Sequence, residues 1–167
     1  MAQYMSEHDS AVWRNLADSH HAYLAARGDF FEEGVDRVML LHTAIRSVSD
    51  TAAAVAILPR LDLMQLSLLF DDLVFLSLSH RYTFVARDLI ASLPREWVVA
   101  RIEEAVEPHL RDGTYDEYRM ILGLYSGFDR ALTGRLEDRA AAHADEDIRE
   151  AGEESLATLA EASATAG

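Results

Sequence analysis

Apolar residues recur at helical spacing along most of the chain, and no stretch alternates apolar and polar residues with the period of a strand. In the first segment, residues 10–26, six side chains share one helix face: Val12, Trp13, Leu16, His20, Tyr23 and Leu24. Comparable stripes predict further helices at 29–45, 51–58, 63–78, 82–92, 95–110, 115–126, 130–142 and 146–160. The pattern therefore predicts an all-α fold of nine helices with short connections.

Several predicted helices begin with residues that cap helix N-termini. Capping-box spacing, with Glu or Gln three residues after an acceptor side chain, occurs at Asp29–Glu32, Asp62–Gln65 and Thr114–Glu117. Asp50 and Asp129 precede two other segments as single caps. Gly28 is predicted to end the first helix, and Pro59 the third.

The segment 63–78 is apolar nearly all round, which is typical of a helix in the middle of a fold. We expect four of its side chains to be nearly fully buried: Leu66, Phe70, Val74 and Leu78. Asp71 and Asp72 interrupt it. They mark either a polar pocket in an apolar wall or a break between two shorter helices, and the break is favoured because Asp is a preferred cap. His80, Arg81 and Arg87 are the nearest candidates to neutralise a buried carboxylate.

A weak internal repeat of 35 residues divides the second part of the chain. Leu58-Pro59-Arg60, Leu93-Pro94-Arg95 and Phe128-Asp129-Arg130 open three blocks, and each block holds two predicted helices. We therefore expect one domain, 1–161, with N-terminal helices or a cap at 1–57 and helical-pair repeats at 58–161, followed by a flexible tail at 162–167. An irregular multi-helix bundle with chance similarity is the alternative.

The last block contains an acidic turn, Ala144-Asp145-Glu146-Asp147, that leads into a helix. Its apolar and small positions are Ile148, Ala151, Ser155, Leu156 and Leu159. With Arg149, this stretch resembles the second half of a HEAT repeat, in which an Asp-rich turn precedes the pattern I/V-R-x-x-A-x-x-x-L-x-x-L. The resemblance lies mainly in residues 128–160. It implies antiparallel helix pairs stacked as a short solenoid, used as a scaffold or adaptor surface that binds another protein.

In the HEAT family the second helices usually line the inner face of the solenoid. The resemblance therefore implies a partner-binding surface on helices 82–92, 115–126 and 146–160. Arg and Tyr are enriched at interface hot spots, so the candidate residues are Arg81, Arg87, Tyr118, Arg119, Tyr125 and Arg149. The alternative is that these arginines pair with neighbouring acids and hold adjacent repeats together.

Charge and composition narrow the function. The chain has 29 acidic and 15 basic residues, a net charge of −14, so its average field repels nucleic acid. The same charge suits a small acidic immunity- or antitoxin-type inhibitor of a basic partner, which is a second functional hypothesis. Every basic residue is Arg, which indicates codon bias in a GC-rich, bacterial genome.

Several kinds of catalytic chemistry are excluded outright. Without Lys there is no Schiff-base or phosphate-loop lysine, and with 0 Cys there is no disulfide or thiolate site. Glycine-rich phosphate loops, nucleophile elbows and His-Glu-x-x-His are missing. We therefore predict a protein that is not an enzyme and needs no cofactor.

A helical bundle that holds a metal or a small ligand is the third hypothesis. His20 and His42 lie on apolar faces of two predicted helices, but neither has the Glu-x-x-His spacing of di-iron bundles, so we predict no metal. The N-terminus is polar and does not resemble a signal peptide, and Asp71 and Asp72 interrupt the only membrane-span candidate, 61–78. We expect a cytoplasmic protein that does not enter a membrane.

Overall fold

The computed structural model describes the backbone of residues 6–165 and the side chains of residues 6–157. Helices make up 76% of the structure and no strand occurs in the described backbone, which confirms the predicted all-α class. The helices are α1 (Glu7–Phe30), α2 (Arg37–Ile45), α3 (Thr51–Ile57), α4 (Leu63–Leu68), α5 (Phe70–Ser77), α6 (Thr83–Ser92), α7 (Arg95–Val99), α8 (Ile102–Leu110), α9 (Tyr115–Tyr125), α10 (Arg130–Ala141) and α11 (Glu146–Thr165). A short 3₁₀ turn, Leu58–Arg60, follows α3. None of these helices has both the length and the apolar character needed to cross a membrane, as far as residues 6–165 are concerned.

The chain divides into two compact units, Met1–Leu40 and Leu41–Gly167, with the division inside α2. In the first unit, Ser6 and Asp9 form a capping box that starts α1. The predicted end of this helix at Gly28 and the predicted cap at Asp29–Glu32 were wrong, because α1 continues to Phe30.

The end of α1 is set by an arginine rather than by glycine. Arg37 donates to the carbonyl oxygens of Phe30, Phe31 and Glu32, from Nε at 3.1 Å and from Nη2 at 2.6 and 2.7 Å. Helix C-termini leave such carbonyls without partners, and the guanidinium supplies the missing donors. Gly34, with φ of 91°, provides the positive φ needed in the turn that follows.

The second unit is built from three successive helix pairs. α5 packs against α6, α8 against α9, and α10 against α11. The pairs also contact one another, α5 with α8 and α9 with both α10 and α11. The largest fully buried side chains are Tyr118, Ile45, Leu58, Leu69, Leu73, Leu76, Ile90, Ile102, Ile121, Leu122, Leu124 and Leu132.

Two of the predicted long helices are divided. The segment 63–78 breaks at Leu69 into α4 and α5, and 95–110 breaks at Ala100–Arg101 into α7 and α8. Of the four side chains expected in the core, Leu66, Phe70 and Val74 are 3%, 5% and 0% exposed. Leu78 was predicted wrongly: α5 ends at Ser77, and Leu78 in the following turn is only half-buried.

The capping predictions hold in part. Asp62–Gln65 and Thr114–Glu117 form capping boxes as predicted, and the Asp129 carboxylate accepts from the backbone N–H groups of Ala131 and Leu132. The Asp50 carboxylate does not cap α3; it accepts from the hydroxyls of Ser47 and Ser49 instead.

The three positions that open the repeated blocks are equivalent in burial. Leu58, Leu93 and Phe128 are 0%, 4% and 9% exposed. Arg95, in the second block, donates through Nη2 to the carbonyl oxygen of Phe128 at the start of the third. α11 extends to Thr165, past the predicted end at 160, so the tail expected at 162–167 lies partly in this helix and partly outside the described residues.

Candidate functional site

A buried carboxylate lies at the centre of one cluster in the second unit. Asp72, in the first turn of α5, has a side chain only 3% exposed. Its Oδ2 accepts from Nδ1 of His42 at 2.8 Å, and its Oδ1 accepts from Nε of Arg46 at 3.0 Å. The imidazole is thereby oriented, with Nε2 on the side away from Asp72.

The partners of Asp72 were not those proposed from the sequence. His80, Arg81 and Arg87 lie near it in the chain, whereas the contacts come from His42 and Arg46, 30 and 26 residues away. A signal was available: His42 and Arg46 are four residues apart and so lie on one helix face. A break precedes α5 at Leu69 and a polar site adjoins it, but the expected cap was wrong, because Leu69 is the N-cap of α5 and no side chain bonds there.

That site is an open cleft of about 480 Å³ between α4, α5, α7 and α8. Its residues are Arg46, Ser67, Leu68, Phe70, Asp71, Trp97, Arg101, Glu104, Ala105, Pro108 and His109. The volume lies within the range of about 300–1,000 Å³ that is usual for binding pockets. Trp97 meets Phe70 edge to face, with ring centroids 5.1 Å apart.

Arginines stack on the aromatic rings around this cleft. The guanidinium carbon of Arg101 lies 4.5 Å from the centroid of the Trp97 ring, and that of Arg46 lies 4.2 Å from the centroid of Phe75. Stacking of this kind leaves the guanidinium edges available for hydrogen bonds. The cleft therefore presents donors with fixed orientation.

Several charged groups of the cleft have no ionic partner. Among the described residues, Arg101, Asp71 and Glu104 form no ion pair, whereas Arg46 pairs with Asp72. Burial, reinforced by the nearby charge of Arg46, holds the pKa of His109 below its ordinary value, so this imidazole is neutral at pH 7. The cleft combines one unpaired cation, two unpaired anions and an aromatic wall.

The surface predicted from the sequence is not assembled as expected. Tyr118 and Tyr125 are 1% and 2% exposed, so their assignment to a binding surface was wrong. They face the core because α9 packs against α8, α10 and α11. Burial raises the pKa of Tyr125 well above its usual range.

Two of the four arginines in the predicted set bind backbone. Nη2 of Arg87 donates to the carbonyl oxygen of Met120 at 2.7 Å, and burial lowers the pKa of Arg87. Nη1 of Arg149 donates to the carbonyl oxygens of His143 and Ala144 at 2.9 and 3.0 Å. Arg87 thus joins successive blocks, as the alternative reading proposed, but through a carbonyl rather than an acid, whereas Arg149 bonds only the turn that precedes its own helix.

Arg81 and Arg119 remain exposed. Arg81 stacks over Tyr82, and Arg119 lines a smaller groove of about 250 Å³ between α9 and α11. The groove also contains Leu122, Gly123, Ser126, Ala151, Glu154 and Ser155. At Gly123 a Cβ would lie 3.3 Å from Nη2 of Arg87, so a larger residue there requires a small shift of the guanidinium.

A second set of arginines forms a seam between α8 and α10. Arg135 contacts Glu103 at 2.9 and 3.0 Å, and Arg139 contacts Glu107 at 2.6 and 3.2 Å, both through two nitrogen–oxygen pairs. The bonds from Arg139 lower the pKa of Glu107. Arg135 and Arg139 lie one turn apart on α10, and their partners Glu103 and Glu107 lie one turn apart on α8.

Within residues 6–157, no group of three or more His, Asp or Glu side chains is arranged to hold a metal ion. His20 belongs to the first unit, and His42 is bound to Asp72. No family model, curated protein or solved structure matches this chain.

Proposed function

We propose that this protein is a non-enzymatic protein-interaction module with HEAT-like stacked helix pairs, and that its recognition site is the cleft between α4, α5, α7 and α8. The observation that carries the proposal is the gathering of Trp97, Arg101 and Arg46 around one cleft with unpaired charges. Trp and Arg are the residue types most enriched at the energetic centres of protein interfaces.

Repeated contacts between successive pairs support the HEAT-like part of the proposal. Arg87 reaches the carbonyl of Met120 and Arg95 that of Phe128, each 33 residues further along the chain. Arg135 and Arg139 reach Glu103 and Glu107, each 32 residues back. Contacts repeated at nearly constant separation are expected when like units stack on like.

The cleft selects a particular kind of partner segment. A planar or aliphatic side chain would pack against Trp97 and Phe70, a carboxylate would bind Arg101, and a cation would bind Asp71 or Glu104. Nucleic acid does not fit this set, because two carboxylates and a net charge of −14 repel phosphates. The partner is a protein segment with mixed charge and a hydrophobic anchor.

A comparison of charge-reversed variants tests the proposal. Tagged wild-type protein, Arg101→Glu and Arg119→Glu would be used to recover partners from the native host, followed by titration with the purified partner. Arg119 is the matched control, since it is also an exposed arginine but lines the other groove. We expect Arg101→Glu to weaken binding at least tenfold and Arg119→Glu to leave it unchanged; the reverse result would move the site to the α9–α11 groove.

A small ligand is the second candidate occupant, favoured by the volume of the cleft. Fluorescence of Trp97 provides the measurement, with Trp13→Phe removing the other tryptophan signal. A small molecule that saturates the Trp97 signal and blocks partner binding competitively would favour this alternative over the protein segment.

A further inference from the structure

Helix α1 presents an apolar face that the fold leaves uncovered. No residue of α1 is buried, and Val12, Trp13, Leu16 and Tyr23 are 54%, 62%, 61% and 44% exposed. All four share one face of the helix with His20 and Leu24. A contiguous exposed stripe of this kind, rimmed by polar residues, marks an interaction site.

The stripe has the spacing of a coiled coil. Asp9, Trp13, Leu16, His20, Tyr23 and Arg27 follow one another at alternating intervals of four and three residues. This is the alternation of the a and d positions of a heptad, along which two helices pack side by side.

The stripe is also symmetric about residue 18. Trp13 and Tyr23 are equally distant from that point, as are Leu16 and His20, and Val12 and Leu24. At the two ends, equally distant from it, are opposite charges, Asp9 and Arg27. A twofold axis at residue 18 would therefore bring each residue at an a or d position beside its counterpart in a second, antiparallel copy, while Val12 and Leu24 flank the interface on opposite sides. Self-complementarity of this kind is what a twofold interface requires.

The charges favour one orientation of the two helices. An antiparallel pair places Asp9 of each copy beside Arg27 of the other, whereas a parallel pair places like charges together. Arg27 forms no ion pair among the described residues, and its guanidinium lies 5.6 Å from the centroid of Tyr23. Asp9 is exposed although it belongs to the capping box of Ser6. The charges of Asp9 and Arg27 are therefore available to form ion pairs with a second chain.

We propose that α1 is a dimerisation helix: two copies of this chain pair antiparallel through the face Asp9–Arg27, centred on residue 18. A helix of 24 residues is about 36 Å long. A single helix pair of this length forms a small interface, so we expect a dissociation constant in the micromolar range, about 1–100 μM.

Sedimentation velocity over a concentration series measures the association. We expect the wild-type protein to pass from monomer to dimer with rising concentration, and Trp13→Glu to weaken the dimer at least tenfold. Ala22→Glu is the matched control, because Ala22 is exposed on the opposite face of the same helix. Circular dichroism of each variant establishes that α1 stays helical.

Exchange of the terminal charges tests the register. Asp9→Arg or Arg27→Asp alone should weaken the dimer, whereas the double variant should restore it, because opposite charges again face each other. In a parallel pair the double exchange restores nothing.

Cysteine cross-linking tests the orientation directly, since the chain has 0 Cys and no competing thiol. Asp9→Cys mixed with Arg27→Cys should form a disulfide between chains, while each variant alone should not. In the proposed pair, identical positions lie about 27 Å apart, beyond the reach of a disulfide. Self-cross-linking of either variant, a monomer at every concentration, or capture of a different protein through Trp13 would each overturn the proposal.

Discussion

The arginines of the second unit behave differently in two regions. In the seams between helix pairs, Arg87 and Arg95 bind backbone carbonyls of the next pair, and Arg135 and Arg139 bind carboxylates across it. Around the cleft, Arg101 stacks on Trp97 without any ionic partner among the described residues. The residue type is the same in both regions, and the hydrogen-bond acceptors differ. An arginine holds two helix pairs together where an oxygen atom of the neighbouring pair lies within hydrogen-bond distance.

Acidic groups show the same contrast. Asp72 is buried and depends on its bonds to His42 and Arg46, whereas Glu103 is half exposed and water can replace its partner. Burial of a carboxylate is costly without compensating bonds. Loss of a partner of the buried Asp72 should therefore lower the free energy of unfolding more than loss of a partner of the exposed Glu103.

The largest expected effect on the free energy of unfolding distinguishes Phe70, on the buried floor of the cleft, from Leu68 at its exposed rim. Phe70 lines the cleft but is only 5% exposed, so Phe70→Ala should destabilise the protein by about 3–5 kcal/mol through loss of packing. Leu68→Ala, at a neighbouring position 66% exposed, should change the free energy of unfolding by less than about 0.5 kcal/mol. Denaturant titration measures both, and similar losses for the two would show that the cleft has no packed floor.

A smaller effect tests the contrast between the buried and exposed acids. Arg46→Ala leaves Asp72 with His42 alone and should lower the free energy of unfolding by about 2 kcal/mol. Arg135→Ala, which breaks an exposed pair, should leave the unfolding midpoint unchanged within error. If both variants unfold at the wild-type denaturant concentration, Asp72 does not need the arginine.

The smallest effect on stability distinguishes Arg149 from Arg119, two of the four arginines that the sequence assigned to one binding surface. Arg149→Glu removes two bonds to the α10–α11 turn and should cost about 1–2 kcal/mol. Arg119→Glu should stay within about 0.5 kcal/mol of wild type, because Arg119 is exposed and stacks on the ring of Tyr115. Thermal unfolding of the pair distinguishes a scaffold arginine from a surface arginine; equal melting temperatures would contradict the distinction.

Local signals made most helices predictable. The capping boxes at Asp62 and Thr114 and the cap at Asp129 fix three helix starts through bonds within four residues. The breaks at Leu69 and at Ala100–Arg101 carry no Gly or Pro signal in the sequence. The end of α1 escaped prediction because its cap, Arg37, comes from the next helix.

The cleft was harder to predict because its parts come from distant segments. Asp71 was recognised as a possible pocket residue, but nothing in the local pattern of the predicted helix 95–110 distinguishes Trp97 and Arg101 as site residues. Conversely, Tyr118 and Tyr125 were placed on a surface from residue type alone, and helical spacing could have assigned them to the face that carries Ile121 and Leu122. Residue type shows what a side chain can bind, while its helix face decides whether it meets solvent.

The close approach of Gly123 to Arg87 has a consequence for how this sequence can diverge. Replacing a helical glycine by alanine ordinarily gains about 1 kcal/mol. Here the new methyl would lie 3.3 Å from Nη2 of Arg87, so the guanidinium that bonds the carbonyl of Met120 would have to shift by a few tenths of an ångström. A shorter side chain at position 87 removes this cost. In related sequences we therefore expect these two positions to covary, with glycine at position 123 more frequent where arginine stands at position 87.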